Sequence, residues 1–97
     1  MRTKNAKAFT RAESEHLARV KSCACVLCDH PAPSEAHHIR QGEHFTTVAL
    51  CPDCHRMPEG VHGDQSMLRL RFRVAGKEGE MAALNETLRR VAALEAA

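Results

Sequence analysis

Cys25-Val26-Leu27-Cys28 and Cys51-Pro52-Asp53-Cys54 are two CxxC pairs with 22 residues between them. A CxxC turn carries two thiolates to one side, at about the separation of two corners of a tetrahedron. Two such turns complete a closed four-thiolate zinc site with no open position for a substrate. The expected role of this zinc is therefore structural. The spacing between the pairs is longer than in the usual ribbon and leaves room for one hairpin. Cys23 is left over, either as a free thiol or as a substitute for Cys25 in a shifted register.

The histidines need a separate account. His37 and His38 are adjacent on a predicted strand, so their side chains should point to opposite faces unless a bulge turns them. His55 directly follows Cys54, so the knuckle fixes its position. His62 lies in Gly60-Val61-His62-Gly63, where the glycines admit an unusual backbone. Together they suggest a second site, with imidazole ligands for a catalytic cation and one free imidazole as a base. Arg40 and Arg56 flank these histidines and are candidates to hold phosphate oxygens.

The elements that must position these groups have little else to rest on. The chain has 97 residues with three Phe, no Trp and no Tyr, yet five Cys and seven His. A domain this small with so few aromatics needs a staple. Residues 22–63 hold every Cys, every Pro and all but one His. Ligands rather than packing should organise this segment. Its expected strands are Glu35 to Arg40 and Thr46 to Cys51, joined across Gln41 to Phe45, with a helix after Cys54.

Arg11 to Lys21 reads as a short helix. Glu78 to Leu94 is the clearest helix, with Met81, Leu84, Leu88, Val91 and Leu94 on one stripe. In between, Leu68, Leu70, Phe72 and Val74 alternate with Arg69, Arg71 and Arg73. That is a strand pattern, but Asp64 could cap a helix from Gln65, and a lone strand would have no partner. Helix is the reading preferred.

Fourteen basic and twelve acidic residues give a net charge of +2, which excludes a strongly basic histone-like binder. No apolar run reaches the ~18–20 residues of a membrane span. The first eleven residues carry Arg2, Lys4, Lys7 and Arg11 and no acid, and read as a flexible basic arm rather than a secretory signal. Reduced thiols and a cytoplasmic setting follow as expectations.

The string Ala36-His37-His38-Ile39-Arg40, followed by Val48-Ala49-Leu50-Cys51-Pro52-Asp53-Cys54-His55-Arg56, resembles the HNH (ββα-metal) nuclease motif. The CxxC pairs bracket it as in the zinc-containing members. Gly60-Val61-His62-Gly63 looks like the small phage HNH proteins related to recombination enhancement factor, a RecA-dependent nuclease. The match covers about residues 22–64. The resemblance implies that His37 is a metal ligand and His38 the general base. It makes His55 and His62 further ligands, similar to the all-histidine site of colicin DNases, though the spacing from His55 to His62 differs. The family often has Asn five positions before the second knuckle, where it orients the base. This chain has Thr46, whose backbone carbonyl is expected to hold His38 instead.

These readings give a small α+β domain over residues 12–97. A ββα-metal core at 22–64 is stapled by zinc, flanked by helices at both ends, and extended by a helical segment at 65–97. The expected activity is metal-dependent DNA nicking with little sequence preference, in a bacterial or phage-infected cell. The catalytic cation would be Mg, Mn, Co, Ni or Zn, with histidine ligands favouring the transition ions. Partners would be DNA and RecA or another recombination protein, with no membrane; the oligomeric state is left open. Two other readings stand beside this one. The chain could be a non-catalytic zinc-stabilised module that binds nucleic acid or protein. It could also be a zinc adaptor that dimerises through Glu78 to Leu94.

Overall fold

The computed structural model describes residues 9–96. Six elements follow in order: α1 (Arg11–Lys21), β1 (Glu35–His38), β2 (Thr47–Leu50), α2 (Pro52–Arg56), α3 (Ser66–Phe72) and α4 (Gly76–Ala96). The fold is small α+β with a two-stranded antiparallel sheet. Among the described residues, no helix is long and apolar enough to cross a membrane.

Thr10 starts α1. Its hydroxyl accepts from the Glu13 amide while the Glu13 carboxylate accepts from the Thr10 amide, a reciprocal cap. Arg11 is therefore the first residue of a helix and not the end of an arm. Arg2, Lys4 and Lys7 lie outside the described residues. Leu17 and Val20 turn the buried face of α1 onto the sheet.

The strands pair Glu35 with Leu50, Ala36 with Ala49, His37 with Val48 and His38 with Thr47. Both are shorter than expected: Ile39 and Arg40 leave the first strand, and Thr46 and Cys51 flank the second. A hairpin of two strands is marginal alone. Here every residue of β2 is buried, with α1 and α4 both packed against it. The outer edge of β2 is closed too. The Ala49 amide donates to the Thr87 hydroxyl of α4 at 3.2 Å, and the Ala49 carbonyl accepts from the Val26 amide at 3.0 Å. A side chain and a knuckle thus take the place of a third strand.

α4 is rotated from the expected stripe. It buries Ala83, Leu84, Thr87 and Val91, while Met81, Leu88 and Leu94 are exposed. The small side chains at Ala83 and Thr87 let the helix lie close to β2, and the Thr87 hydroxyl meets the strand edge. Hydrophobicity alone does not reveal that preference.

Residues 66–72 are helical, as the preferred reading had it. The N-cap is Gln65, in the left-handed region at φ 64. Asp64 still contributes, accepting from the Ser66 amide at 2.9 Å. Arg69 and Arg71, which a strand would set on one face, point different ways on this helix, because residues two apart on a helix do not face each other.

The expected helix after Cys54 begins earlier. α2 starts at Pro52 with Cys51 as its cap, so Cys54 and His55 lie within it. Proline suits this first helical position because its missing amide hydrogen has no partner there.

Candidate metal centres

The four knuckle thiols converge. The Sγ atoms of Cys25, Cys28, Cys51 and Cys54 lie within 4.8 Å of one another, with Cys28 and Cys51 3.6 Å apart. A tetrahedral zinc bound at about 2.3 Å holds its sulfurs roughly 3.8 Å apart, so the four residues could hold such an ion. Backbone amides already face two of the sulfurs. Leu27 donates to Cys25 and Cys54 to Cys51, each at 3.4 Å. Cys23 lies outside the cluster, with its thiol directed to the Arg19 carbonyl at 3.4 Å. That settles the register in favour of Cys25.

The electrostatics of the thiols fit a cation. Burial opposes ionisation of Cys25, but backbone hydrogen bonds from Cys51, Leu27 and Cys28 outweigh it and hold the thiol below its ordinary value. Burial, and then the charge on Cys25, push Cys54 well up. Burial raises Cys28 as well. Cys25 thus ionises more easily than an ordinary thiol and Cys28 and Cys54 less easily, and a divalent ion held among them would neutralise the thiolates together.

The first knuckle is clamped by α4. Arg90 donates through Nη1 to the carbonyls of Ala24 and Cys25, each at 3.3 Å. Its Nη2 meets Asp29 at 2.9 Å and its Nε meets Glu86 at 2.9 Å. Arg90→Ala is expected to destabilise the zinc-loaded protein by about 1–3 kcal/mol, since two carbonyls and two carboxylates lose a charged donor. The urea midpoint of wild type and variant checks this.

His37, His55 and His62 form a second group, each offering a ring nitrogen within 4.8 Å of the others. β1 supplies His37, buried opposite Val48. α2 supplies His55, one residue past the knuckle. His62 arrives on the turn that follows. Gly60 makes that turn possible: a Cβ there would collide with the Cys54 carbonyl, so only glycine lets the chain lie on α2. The expected unusual backbone at Gly60 and Gly63 is absent, and close approach is the reason for both glycines. The Val61 amide then donates to the Cys54 carbonyl at 2.8 Å, and the His62 amide to the His55 carbonyl at 3.2 Å.

The ring contacts are short. His37 Nδ1 is 3.2 Å from His55 Nε2, and His62 Nε2 is 3.0 Å from the same atom. A tetrahedral cation bound at about 2.0–2.1 Å by imidazole spaces its nitrogens roughly 3.3 Å apart. Burial lowers the pKa of His37 despite the opposing pull of Glu80, which favours the neutral ring that a metal needs. The outward nitrogens rest on carboxylates: His37 Nε2 on Glu80 at 2.9 Å, and His55 Nδ1 on Glu35 at 2.7 Å.

His38 stands apart from this group. Its Nε2 is 3.0 Å from His44 Nδ1, and Phe9 packs edge-on against His44 with centroids 4.4 Å apart. Burial, with smaller contributions from His44 and Lys21, lowers the His38 pKa, so its imidazole is neutral at physiological pH. The expected hold of Thr46 on His38 is not formed. The Thr46 carbonyl accepts from the Ile39 amide at 3.3 Å, and its hydroxyl donates to the Glu43 carbonyl at 3.2 Å. Among the described residues, His44 is the side chain within hydrogen-bond distance of the His38 ring.

Arg56 is exposed and shares Glu35 with His55, at 3.2 Å, so it borders the histidine group. Arg40 lies beyond the end of β1 in an exposed pair with Glu43 at 3.4 Å. The sequence reading missed Glu35, Glu80 and His44. Glu35 had a signal, since it lies two residues before His37 on the same strand face. No family model, curated protein or solved structure matches this chain.

Proposed function

We propose that this chain is a metal-dependent DNA endonuclease of the HNH (ββα-metal) type that nicks with little sequence preference. One observation carries the reading. A β-hairpin and the helix that follows it bring His37 and His55 ring nitrogens to 3.2 Å, and His62 joins them beside a four-cysteine cluster. The closed thiolate cluster suits a structural ion, and the three-imidazole group leaves coordination open for a substrate oxygen.

In this reading the chain's own residues divide the work. His38, neutral and not among the three ligands, is the proposed acceptor of the attacking water's proton, although the unbulged β1 turns its ring toward His44 and away from His37. His44 orients its ring. Arg56 and Arg40 hold phosphate oxygens on either side. His37, His55 and His62 would hold a divalent ion. When bound, that ion supplies charge stabilisation for the phosphate and the leaving 3′-oxygen. Three imidazoles suit Mn, Co, Ni or Zn better than Mg. A net charge of +2 gives modest affinity for DNA. RecA or another recombination protein is proposed as the partner that presents the strand.

A second reading is a non-catalytic zinc-stabilised module that binds nucleic acid or protein. What favours it is Thr46, which engages Ile39 and Glu43 rather than His38. Relaxation of supercoiled plasmid separates the two, with Mg, Mn, Co, Ni or Zn added in turn. Wild type should nick with a transition ion, and His38→Ala should lose about 10²–10⁴-fold of that rate. Equal rates would remove His38 as the base. DNA binding without cutting, even on RecA filaments, would replace the nuclease with the module.

A further inference from the structure

We propose that Glu80 is a positioning residue of the His37–His55–His62 centre: its carboxylate holds the Nε2 hydrogen of His37 and so turns Nδ1, as a bare lone pair, toward a divalent transition cation. This rests on reading those three histidines as a cation site.

The argument starts from proton positions. A carboxylate only accepts, and a neutral imidazole carries one N–H. Glu80 lies 2.9 Å from His37 Nε2, so the hydrogen is on Nε2 and Nδ1 is bare. The same logic applies to His55. Its Nδ1 meets Glu35 at 2.7 Å, and Arg56 lies on the same carboxylate oxygen at 3.2 Å. In the neutral ring that a metal ligand must have, His55 Nε2 is then bare too. These two bare nitrogens face each other at 3.2 Å. No hydrogen bond can join two lone pairs. A cation set off their line, at about 2.0–2.1 Å from each, satisfies both, and His62 Nε2, 3.0 Å from His55 Nε2, can reach the same ion. His62 is exposed and has no carboxylate partner among the described residues, so its tautomer is free to follow.

The placement of Glu80 is built into the C-terminal extension. A Cβ on Gly79 would lie 2.6 Å from the Val74 carbonyl oxygen and 2.7 Å from Leu68 Cδ2. Glycine there lets the start of α4 press against α3, and the next residue reaches His37. The helical extension is thus part of the centre and not only a buttress. The Glu80 and His37 side chains are only 19% and 7% exposed, so the contact is shielded from water.

The test uses the full chain with its four-cysteine site filled by zinc, titrated with Ni²⁺ by calorimetry. Ring ¹⁵N NMR reads the His37 tautomer. Wild type should bind a further equivalent of Ni²⁺ and show His37 with its hydrogen on Nε2. Glu80→Ala should weaken that equivalent about 10- to 100-fold and release the tautomer to a mixture. Glu80→Gln keeps an acceptor oxygen and should stay within a few-fold of wild type. Glu78→Ala, on the exposed side of α4, should change neither readout. Unchanged Ni²⁺ affinity and tautomer in Glu80→Ala would overturn the assignment while leaving the centre intact. A wild type that takes no further Ni²⁺ would overturn the centre and Glu80 with it. Should Glu80→Ala not fold, the wild-type spectrum decides: hydrogen on Nδ1 of His37 overturns the proposal.

Discussion

Cys54→Ser is expected to leave the chain unfolded at neutral pH. Cys54 is buried, and its thiol is the one pushed up most strongly by burial and by its neighbour Cys25. Serine has a similar shape but is a poor zinc ligand, so the four-point site becomes a three-point one. A structural zinc contributes about 10–16 kcal/mol of apparent free energy. The net stability of an ordinary domain is about 5–15 kcal/mol. Losing most of the zinc term therefore exceeds what packing can hold. That packing is thin: the largest fully buried side chains include Leu50, Leu68, Val20, Val26 and Val48, and no aromatic. Circular dichroism and zinc stoichiometry on the purified variant check this. A variant that melts cooperatively without zinc would mean that the helices sustain the fold alone.

The same site gives stability a pH dependence whose sign follows from the thiols. Cys28 and Cys54 lie above the ordinary thiol value when no cation is present. Zinc must displace their protons, so binding releases protons and weakens as pH falls. Stability supplied by a zinc held there would be present at neutral and alkaline pH and lost on acidification, which urea midpoints of the zinc-loaded chain across pH check.

How much of this was legible before the fold was known depends on the range of each signal. The CxxC pairs are local and chemically specific, so all four cysteines of the cluster could be named. His37, His55 and His62 could be gathered because short strands and a knuckle fix them within one segment. The helix at 66–72 was masked by an alternating pattern and recovered by asking where a lone strand would pair. The buried face of α4 was misread because the helix seats Ala83 and Thr87 against β2 and leaves Leu88 exposed. Small-residue contact and a hydroxyl at a strand edge carry no periodic hydrophobic mark. Glu80 was invisible for a related reason. It meets a histidine 43 residues earlier in the chain, and only the packing of α4 brings them together. His44 was hidden in a loop whose partner, His38, had been assigned to Thr46.

His55→Ala should abolish the second metal equivalent and spare the fold. His55 Nε2 is the shared point of the centre, 3.2 Å from His37 Nδ1 and 3.0 Å from His62 Nε2. Loss of a group that merely orients a ligand costs about 10- to 100-fold in affinity, so loss of the ligand itself should exceed ~100-fold. The fold should tolerate the change. Glu35 keeps Arg56 as a partner, so no carboxylate is stranded. α2 keeps its cap at Cys51 and the buried thiol of Cys54 in the four-cysteine cluster. Alanine also has the higher helix propensity. His38→Ala makes the complementary variant. Its imidazole faces His44, so its removal should leave the affinity for Ni²⁺ or Co²⁺ at the wild-type value while nicking is lost. Calorimetry and plasmid relaxation on both variants then separate holding the ion from moving the proton. If the two variants lost metal together, His38 would belong among the ligands. If His55→Ala kept the second equivalent, the three-histidine centre would not be the site that binds it.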